Sequence, residues 1–366
     1  MLISEVIEIL EKIAPPTLQE SYDNAGLIVG SKSTIVTGVL VSLDATEDIV
    51  SEAMAQNCNL IVAHHPIVFK GLKQLNGKNY VERTVIKAIK NDIAIYAIHT
   101  NLDNVLHSGV NQKIAQKIGL TNVQILQKRK GDLLKLSVFV PQKEAEKVMN
   151  AMFDAGAGHI GNYDECSFKT EGIGSFRAGS GSNPSIGTVG ERHYEKETKV
   201  EVVLPAYAAK NVVKAMQKAH SYEEVAYDLV ALQNEWNAVG AGIVGELSEP
   251  IEVQHFLKHL KQNLRAEVIK FTSTDKNYIQ KVAVCGGSGS FLIGAAMASG
   301  ADAYVTGDVK YHEFFDGENK LMICDVGHYE SEQFTIELLG EILLEKNSNF
   351  AVIFSKTVTN PIKYFY

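Results

Sequence analysis

The sequence predicts an α/β fold made of two related α/β halves forming one domain, with a smaller ferredoxin-like α+β domain inserted between them. Three observations carry this expectation. Shifted by 243 residues, 39–66 (VLVSLDATEDIVSEAMAQNCNLIVAHHP) falls on 282–309 (VAVCGGSGSFLIGAAMASGADAYVTGDV) without a gap, with identity at six of 28 positions. Each copy reads as apolar strand, small-residue turn, amphipathic helix and second apolar strand, and that alternation implies a sheet covered on both faces. Between the copies a second repeat, offset by 64, matches 135–152 to 199–216 at seven of 18 positions; in each a period-2 strand ends at a proline (Pro141, Pro205) and an amphipathic helix follows. Finally, 366 residues suffice for roughly two or three domains, and 45% hydrophobic with 21% charged residues is an ordinary globular composition.

In chain order, the first element is an amphipathic helix. Leu2, Val6, Ile9, Leu10 and Ile13 recur at helical spacing, and Pro15 and Pro16 stop it. The first repeat copy follows. Its first strand runs into Asp44-Ala45-Thr46, which reads as a helix N-cap, and its second ends at His64-His65-Pro66. A third strand is expected in IAIYAIHT (93–100), completing a first half over 1–127. Residues 128–235 are the insert, two strand–helix–strand units in tandem, ending on a strand in YEEVAYDLVAL (222–232). Its Gly- and Ser-rich middle, 172–187, lacks apolar periodicity and is expected to be a long exposed loop. The second half, 236–366, repeats the pattern, with its third strand in KLMICDVG (320–327) and a helix beginning near EQFTIELLGEILL. Residues 282–301 carry no charge and have the length of a membrane span, but five glycines divide them into strand, turn and buried helix.

The composition excludes several classes. Lys+Arg 35 against Asp+Glu 43 gives a net charge of -8, without the basic surplus that non-specific nucleic-acid binding needs. Four cysteines lie far apart with no CxxC pair, which argues against a disulfide framework or a thiolate zinc site; they are expected to be buried small apolar residues. Acids at positions 5, 8 and 11 are wrong for a signal peptide. The expectation is a cytoplasmic protein with neither a membrane nor a nucleic-acid partner.

Three segments carry chemistry. In IVAHHPIVF, His64 and His65 end a buried strand; adjacent side chains on an extended strand point to opposite sides, and Pro66 keeps His65 extended, so the pair suits two ions better than one. In IHTNLDNV, His99 and Asp103 follow the third strand, and in an open α/β sheet sites form beyond the carboxyl ends of strands. In VGHYESEQF, His328 and Glu332 are four apart, sharing one face if a helix begins there. Three imidazoles and two carboxylates suit two divalent cations, a recurring hydrolytic device, and leave about +2 to attract an anionic substrate. Asp308 and His312 in TGDVKYHEF lie where the repeat places the counterpart of His64-His65, and with His99 they are candidates for acid–base or supporting roles. Asp23 and Asn24 are turn residues or pocket wall. CGGSGS (285–290) reads as close strand–helix packing more readily than as a phosphate cradle, lacking the Gly-Lys-Ser/Thr ending of a P-loop.

On YDNAGLIVG (22–30), VAHHPIVF (62–69), IHTNLD (98–103), TGDVKYHEF (306–314) and GHYESE (327–332), in that order, the whole chain resembles the dinuclear-metal proteins named GTP cyclohydrolase 1 type 2 homologues, the Ngg-one-interacting-factor-three group. The resemblance implies metal ligands at His64, His65, Asp103, His328 and Glu332, with Glu332 bridging. It implies two divalent ions per chain, zinc first with iron or manganese as alternatives, and a toroidal homohexamer. HSYEEVAYDL (220–229) resembles a signature of the nitrogen-regulator-like or CutA-like insert of the family's longer members. The family name implies opening of a purine imidazole by water with loss of formate. The expected function is therefore a metal-dependent hydrolase of a small anionic, nucleotide-like substrate, with a non-catalytic metal-binding or metal-handling scaffold as the alternative. Tyr22 stands where such proteins often have Trp.

Overall fold

An apolar stripe at helical spacing makes the first element a helix, α1 (Ile3–Ile13), which buries Ile3, Val6, Ile7 and Leu10 and stops short of Pro15 and Pro16. The computed structural model describes residues 1–346 and 350–365. The chain divides into two compact units, Met1–Lys128 with Ala238–Tyr366, and Arg129–Asn237.

After α1 the first unit runs β1 (Gly26–Val29), β2 (Gly38–Ser42), α2 (Glu47–Ala55), β3 (Leu60–Ala63), α3 (Tyr80–Lys90), β4 (Ala94–Ala97), the one-turn α4 (Thr100–Asp103), α5 (Val110–Ile118) and β5 (Leu120–Lys130). Thr46 caps α2, its Oγ1 accepting from the Ile49 N–H at 3.3 Å, and Asn79 caps α3 through the Glu82 N–H at 2.9 Å. Every residue of β2, β3 and β4 is buried, and the three pair in parallel, as expected of a sheet with both faces covered.

The second unit contains β6 (Leu133–Pro141), α6 (Ala145–Asp154), β7 (Ser167–Arg177), β8 (Arg192–Pro205), α7 (Ala209–Ala219) and β9 (Tyr227–Leu232). Its strands form an antiparallel sheet in the order β7-β8-β6-β9. Val148 and Met152 of α6 and Val212 and Met216 of α7 share one apolar cluster with Leu136, Val138, Val200 and Val202. The loop expected over 172–187 is corrected: the chain stays in the ladder with β8 as far as Arg177. β7 is an edge strand, exposed along most of its length, so cross-strand pairing rather than an apolar face makes it a strand, and no period-2 signal marks it.

The chain returns through β10 (Glu235–Glu252), α8 (Val253–Asn263), β11 (Lys270–Phe271), β12 (Tyr278–Ser288), α9 (Ile293–Ala298), β13 (Ala303–Gly307), β14 (Met322–Asp325), α10 (His328–Glu332), α11 (Thr335–Lys346) and β15 (Ala351–Phe354). Among the described residues the first unit holds two sheets, ordered β1-β4-β3-β2-β15 and β11-β14-β13-β12-β10-β5. The 243-residue repeat thus extends to topology. In both sheets three parallel strands stand side by side, with a short antiparallel strand beside the third. They differ at the opposite edge, where parallel β15 joins β2 but antiparallel β10 joins β12. The uncharged 282–301 stretch is the end of β12, a turn and the six residues of α9; no helix among the described residues is long and apolar enough to cross a membrane. The four cysteines are unpaired, and Cys58, Cys285 and Cys324 are buried.

Because β5 and β10 are neighbours in one sheet, a short Gly/Ser linker can join Lys128 to Ala238. The chain so shortened is expected to remain soluble and to unfold in one cooperative thermal transition followed by circular dichroism. Aggregation or a non-cooperative melt would show that the first unit depends on the second.

Candidate metal centre

Strand pairing assembles the site from the carboxyl ends of the parallel strands of both sheets. β2 and β3 pair with Ser42 opposite Ala63, and the ladder continues through the His64 N–H to Ser42 and the His65 N–H to Leu43. The same register sets Asp44 beside His65, whose Nδ1–H donates to Asp44 Oδ1 at 2.7 Å. His64 is wholly buried, and its Nδ1–H donates to the Ile98 carbonyl at 2.8 Å. That bond fixes the tautomer, leaving a lone pair on Nε2. Nε2 faces Asp103 Oδ1 at 3.5 Å and Glu332 Oε1 at 3.8 Å, acceptor against acceptor. His64 Nε2 and Asp103 Oδ1 are buried and have no hydrogen-bond partner. Lone pairs that converge out of water without a donor are costly unless a cation lies among them, so the donor set fits a metal ion.

The one-turn α4 after β4 supplies Asp103, and α10 after β14 supplies His328 and Glu332, the corresponding place in each half. His328 Nε2 lies 3.1 Å from Glu332 Oε2, and His65 Nε2 lies 2.9 Å from the same oxygen. On its other side His328 donates through Nδ1 to Asp308 Oδ2 at 2.7 Å. Burial alone would push both imidazoles down. For His65 the carboxylates of Asp44 and Glu332 override it and hold the ring up at about 10; for His328, Glu332 and then Asp308 hold it at about 9. Burial, followed by the charge of Glu332, raises Asp103 above the ordinary carboxylate range. Donor atoms of His64, Asp103 and Glu332 all lie within 4.8 Å of one another, as do those of His65, His328 and Glu332, and of His64, His65 and His99.

The structure therefore brings together His64, His65, Asp103, His328 and Glu332, with His99 alongside and Asp308 behind His328. The His64 and His65 rings, expected to diverge, stand 4.9 Å apart, because both lie past the last residue of β3 rather than within it. His312 is not brought to the cluster. It is exposed and packs against Tyr311 and Phe315, since the turn after Asp308 carries it away from the strand end. The glycine run is packing, not a cradle: the N–H groups of Gly286, Gly287 and Gly289 donate to Asn111, Ser331 and Thr306.

Three partners escaped the sequence reading. Asp44, read as part of a cap, holds His65, and Thr359 near the chain end donates to Asp44. Asp23 accepts from His99 Nδ1 at 2.8 Å and from both the N–H and the hydroxyl of Thr100, at the start of α4. Burial pushes Asp23 up, but the hydrogen bonds from His99 and Thr100 outweigh it and hold the carboxyl well below its usual range. A carboxyl depressed on folding contributes stability above its unfolded pKa, and that contribution is lost as pH falls through the folded value. Asp23→Asn is expected to destabilise the protein in urea denaturation at pH 7, with a smaller penalty at pH 3. An equal penalty at both values would remove the charge from the explanation.

The cluster floors a cavity of about 890 Å³ whose lining includes Asp44, His65, His99, Asp103, His328 and Glu332. The chain is similar to known proteins over its whole length. A family model described as Duf34/NIF3 (NGG1p interacting factor 3) matches residues 1–361. A protein of Halalkalibacterium halodurans named GTP cyclohydrolase 1 type 2 homolog is 37% identical over 364 residues, covering 98% of each chain, and one of Bacillus subtilis with the same name is 36% identical over 365 residues, again covering 98% of each. The crystal structure of a Bacillus cereus protein related to NIF3 superposes with a TM-score of 0.87 at 38% identity, covering 100% of this chain and 99% of that one.

Proposed function

The chain belongs to the Duf34/NIF3 family, and from that premise we propose that its three histidines and two carboxylates form a dinuclear divalent-metal centre of a hydrolase acting on a small anionic substrate. The observation that carries the proposal is the buried pair of unpartnered atoms, His64 Nε2 and Asp103 Oδ1, facing Glu332. His64 and Asp103 would hold one ion, His65 and His328 the other, and Glu332 would touch both. A mixed nitrogen and oxygen donor set suits zinc, with iron or manganese as alternatives. Two such ions, when bound, acidify water and stabilise charge at the bond being broken.

The chain's own residues prepare that chemistry. Asp44 and Asp308 accept hydrogen bonds from the Nδ1–H groups of His65 and His328, so that both rings turn Nε2 inward, the arrangement by which supporting carboxylates orient histidine ligands. Asp23 holds His99 by Nδ1, leaving Nε2 to give or take a proton beside His64 and His65. Cavity volume falls in the range of small-molecule sites. The inserted unit, by its order βαββαβ and its sheet order β7-β8-β6-β9, is read as ferredoxin-like.

The test counts metal per chain by plasma mass spectrometry, then assays nucleotides and phosphoesters with and without chelator. Turnover that rises and falls with metal content supports the hydrolase; a full load without turnover leaves a metal-binding scaffold. His64→Ala and His65→Ala are each expected to lose about one of the two ions. A variant that keeps both at wild-type affinity removes that histidine from the ligand set.

A further inference from the structure

The lining of the cavity narrows the substrate class: we propose that it takes a planar heteroaromatic molecule of low negative charge, gripped by its ring and not by phosphates. The inference deepens the proposed hydrolase and rests on it only for where the reacting end of the ligand lies.

Tyr22, Phe69, Tyr80 and Phe291 all line this cavity, and they are 70%, 50%, 60% and 67% exposed. They come from four separate places: the turn before β1, the loop after β3, the first residue of α3 and the turn before α9. Phe69 stands edge-on to His99, ring centres 5.7 Å apart at 81°. A single exposed ring means little, but four lining one cavity offer apolar faces suited to a ligand. Flat ring systems pack on such faces by stacking and edge contacts.

Charge points the same way. The described lining residues include no lysine or arginine, while Glu20, Asp44, Asp103, Asp308 and Glu332 are all among them. Asp44, Asp103, Asp308 and Glu332 alone match the four positive charges that two divalent ions bring, so the surplus expected from the sequence, which counted only Asp103 and Glu332, is gone. Polyphosphates are otherwise held by arginine, lysine or free backbone N–H groups. Here the N–H groups of the glycine run are already committed to Asn111, Ser331 and Thr306. A nucleoside triphosphate, with about four negative charges, finds no lysine or arginine in this lining and only ions already balanced by carboxylates; a neutral ring, or one with a single anionic group for the ions, meets less repulsion.

The full-length metal-loaded protein is titrated calorimetrically with ring compounds paired against charged or ring-free counterparts: guanosine with GTP, adenosine with ATP, indole-3-carboxylate with acetate. Metal per chain is counted on the same samples. At least one ring compound is expected to bind at least as tightly as its triphosphate or ring-free counterpart. Phe291→Ala and Tyr22→Ala, both at exposed positions, should each weaken it by about 10-fold with metal content unchanged. Ser288→Lys, which places a cation in the lining, should shift preference toward the triphosphate. The inference is overturned if no ring compound binds, if each triphosphate binds more than tenfold tighter than its nucleoside, or if the aromatic variants bind as wild type. A protein that binds the ring but holds no ions would sink the metal centre and leave this inference standing; two ions with a marked triphosphate preference would do the reverse.

Discussion

Glu332→Gln is expected to release both ions, a larger loss than His328→Ala produces. Glu332 is the side chain common to the His64–Asp103 group and the His65–His328 group. It is 3% exposed, with Oε2 at 2.9 Å from His65 and 3.1 Å from His328, and Oε1 at 3.8 Å from His64. Glutamine keeps the shape but removes the charge and turns one oxygen into a donor group. Removing a mere supporting partner costs roughly 10–100-fold in metal affinity; losing the shared ligand should cost more and abolish any hydrolysis. Glu330, two residues earlier, reads from the sequence as an outward-facing control, and the structure corrects this. Glu330 is 5% exposed and accepts from Asn360 Nδ2 at 3.1 Å, because α10 is a single turn enclosed on several sides. The suitable control is His312→Ala, exposed and away from the cavity, expected to be neutral. Metal retained after dialysis against a chelator decides the matter. Both ions surviving Glu332→Gln while His328→Ala loses one would overturn the shared-ligand assignment.

Gly287→Ala should cripple the same centre without replacing a ligand. Gly287 has φ +61°, and a Cβ there would fall 2.4 Å from Glu332 Oε1 and 3.3 Å from His328 Cε1. The Glu332 carboxylate must move, so metal affinity is expected to fall by about 10–100-fold, with a backbone penalty of about 1 kcal/mol from the left-handed conformation. Gly300→Ala separates the two effects. Gly300 has φ +74° with open space where a Cβ would stand, so it should lose similar stability and no metal. Equal metal affinity in both variants would show that the glycine run leaves the position of Glu332 free.

Residues whose place follows from strand ends were legible in the sequence. His64, His65, His99 and His328 sit just beyond β3, β4 and β14 because apolar runs mark where buried parallel strands stop. The four-residue spacing of His328 and Glu332 was legible as a helical turn. Partners that depend on which strands are neighbours were not. Asp44 meets His65 only because β2 and β3 pair in the register Ser42 to Ala63; with that register assumed, the contact follows. Asp23 and Thr359 lie in irregular segments without periodicity, and only the folded chain carries them to His99 and Asp44. β7 was missed because its partner β8, not its own composition, makes it a strand. His312 erred in the other direction: the repeat continues to the end of β13 and is broken by the turn after it.

β15 has a consequence for the order in which this protein can be finished as it is made. The strand that pairs with β2 is residues 351–354, and Ser355 and Thr359 just after it bind Val41 and Asp44. N-terminal segments leave the ribosome first, yet the sheet that carries His64 and His65 waits for a strand more than 300 residues further along the chain before its β2 edge is paired. Until that segment has been made and released, the edge is open to pairing with other nascent chains, and Asp44 lacks its Thr359 partner. Ions met during synthesis would find His64 and His65 without His328 or Glu332, which arrive more than 250 residues later. A metal pair of the proposed kind can therefore be completed only after both halves have been made, and chains ending at Gly327, before His328 and Glu332, should hold no metal pair.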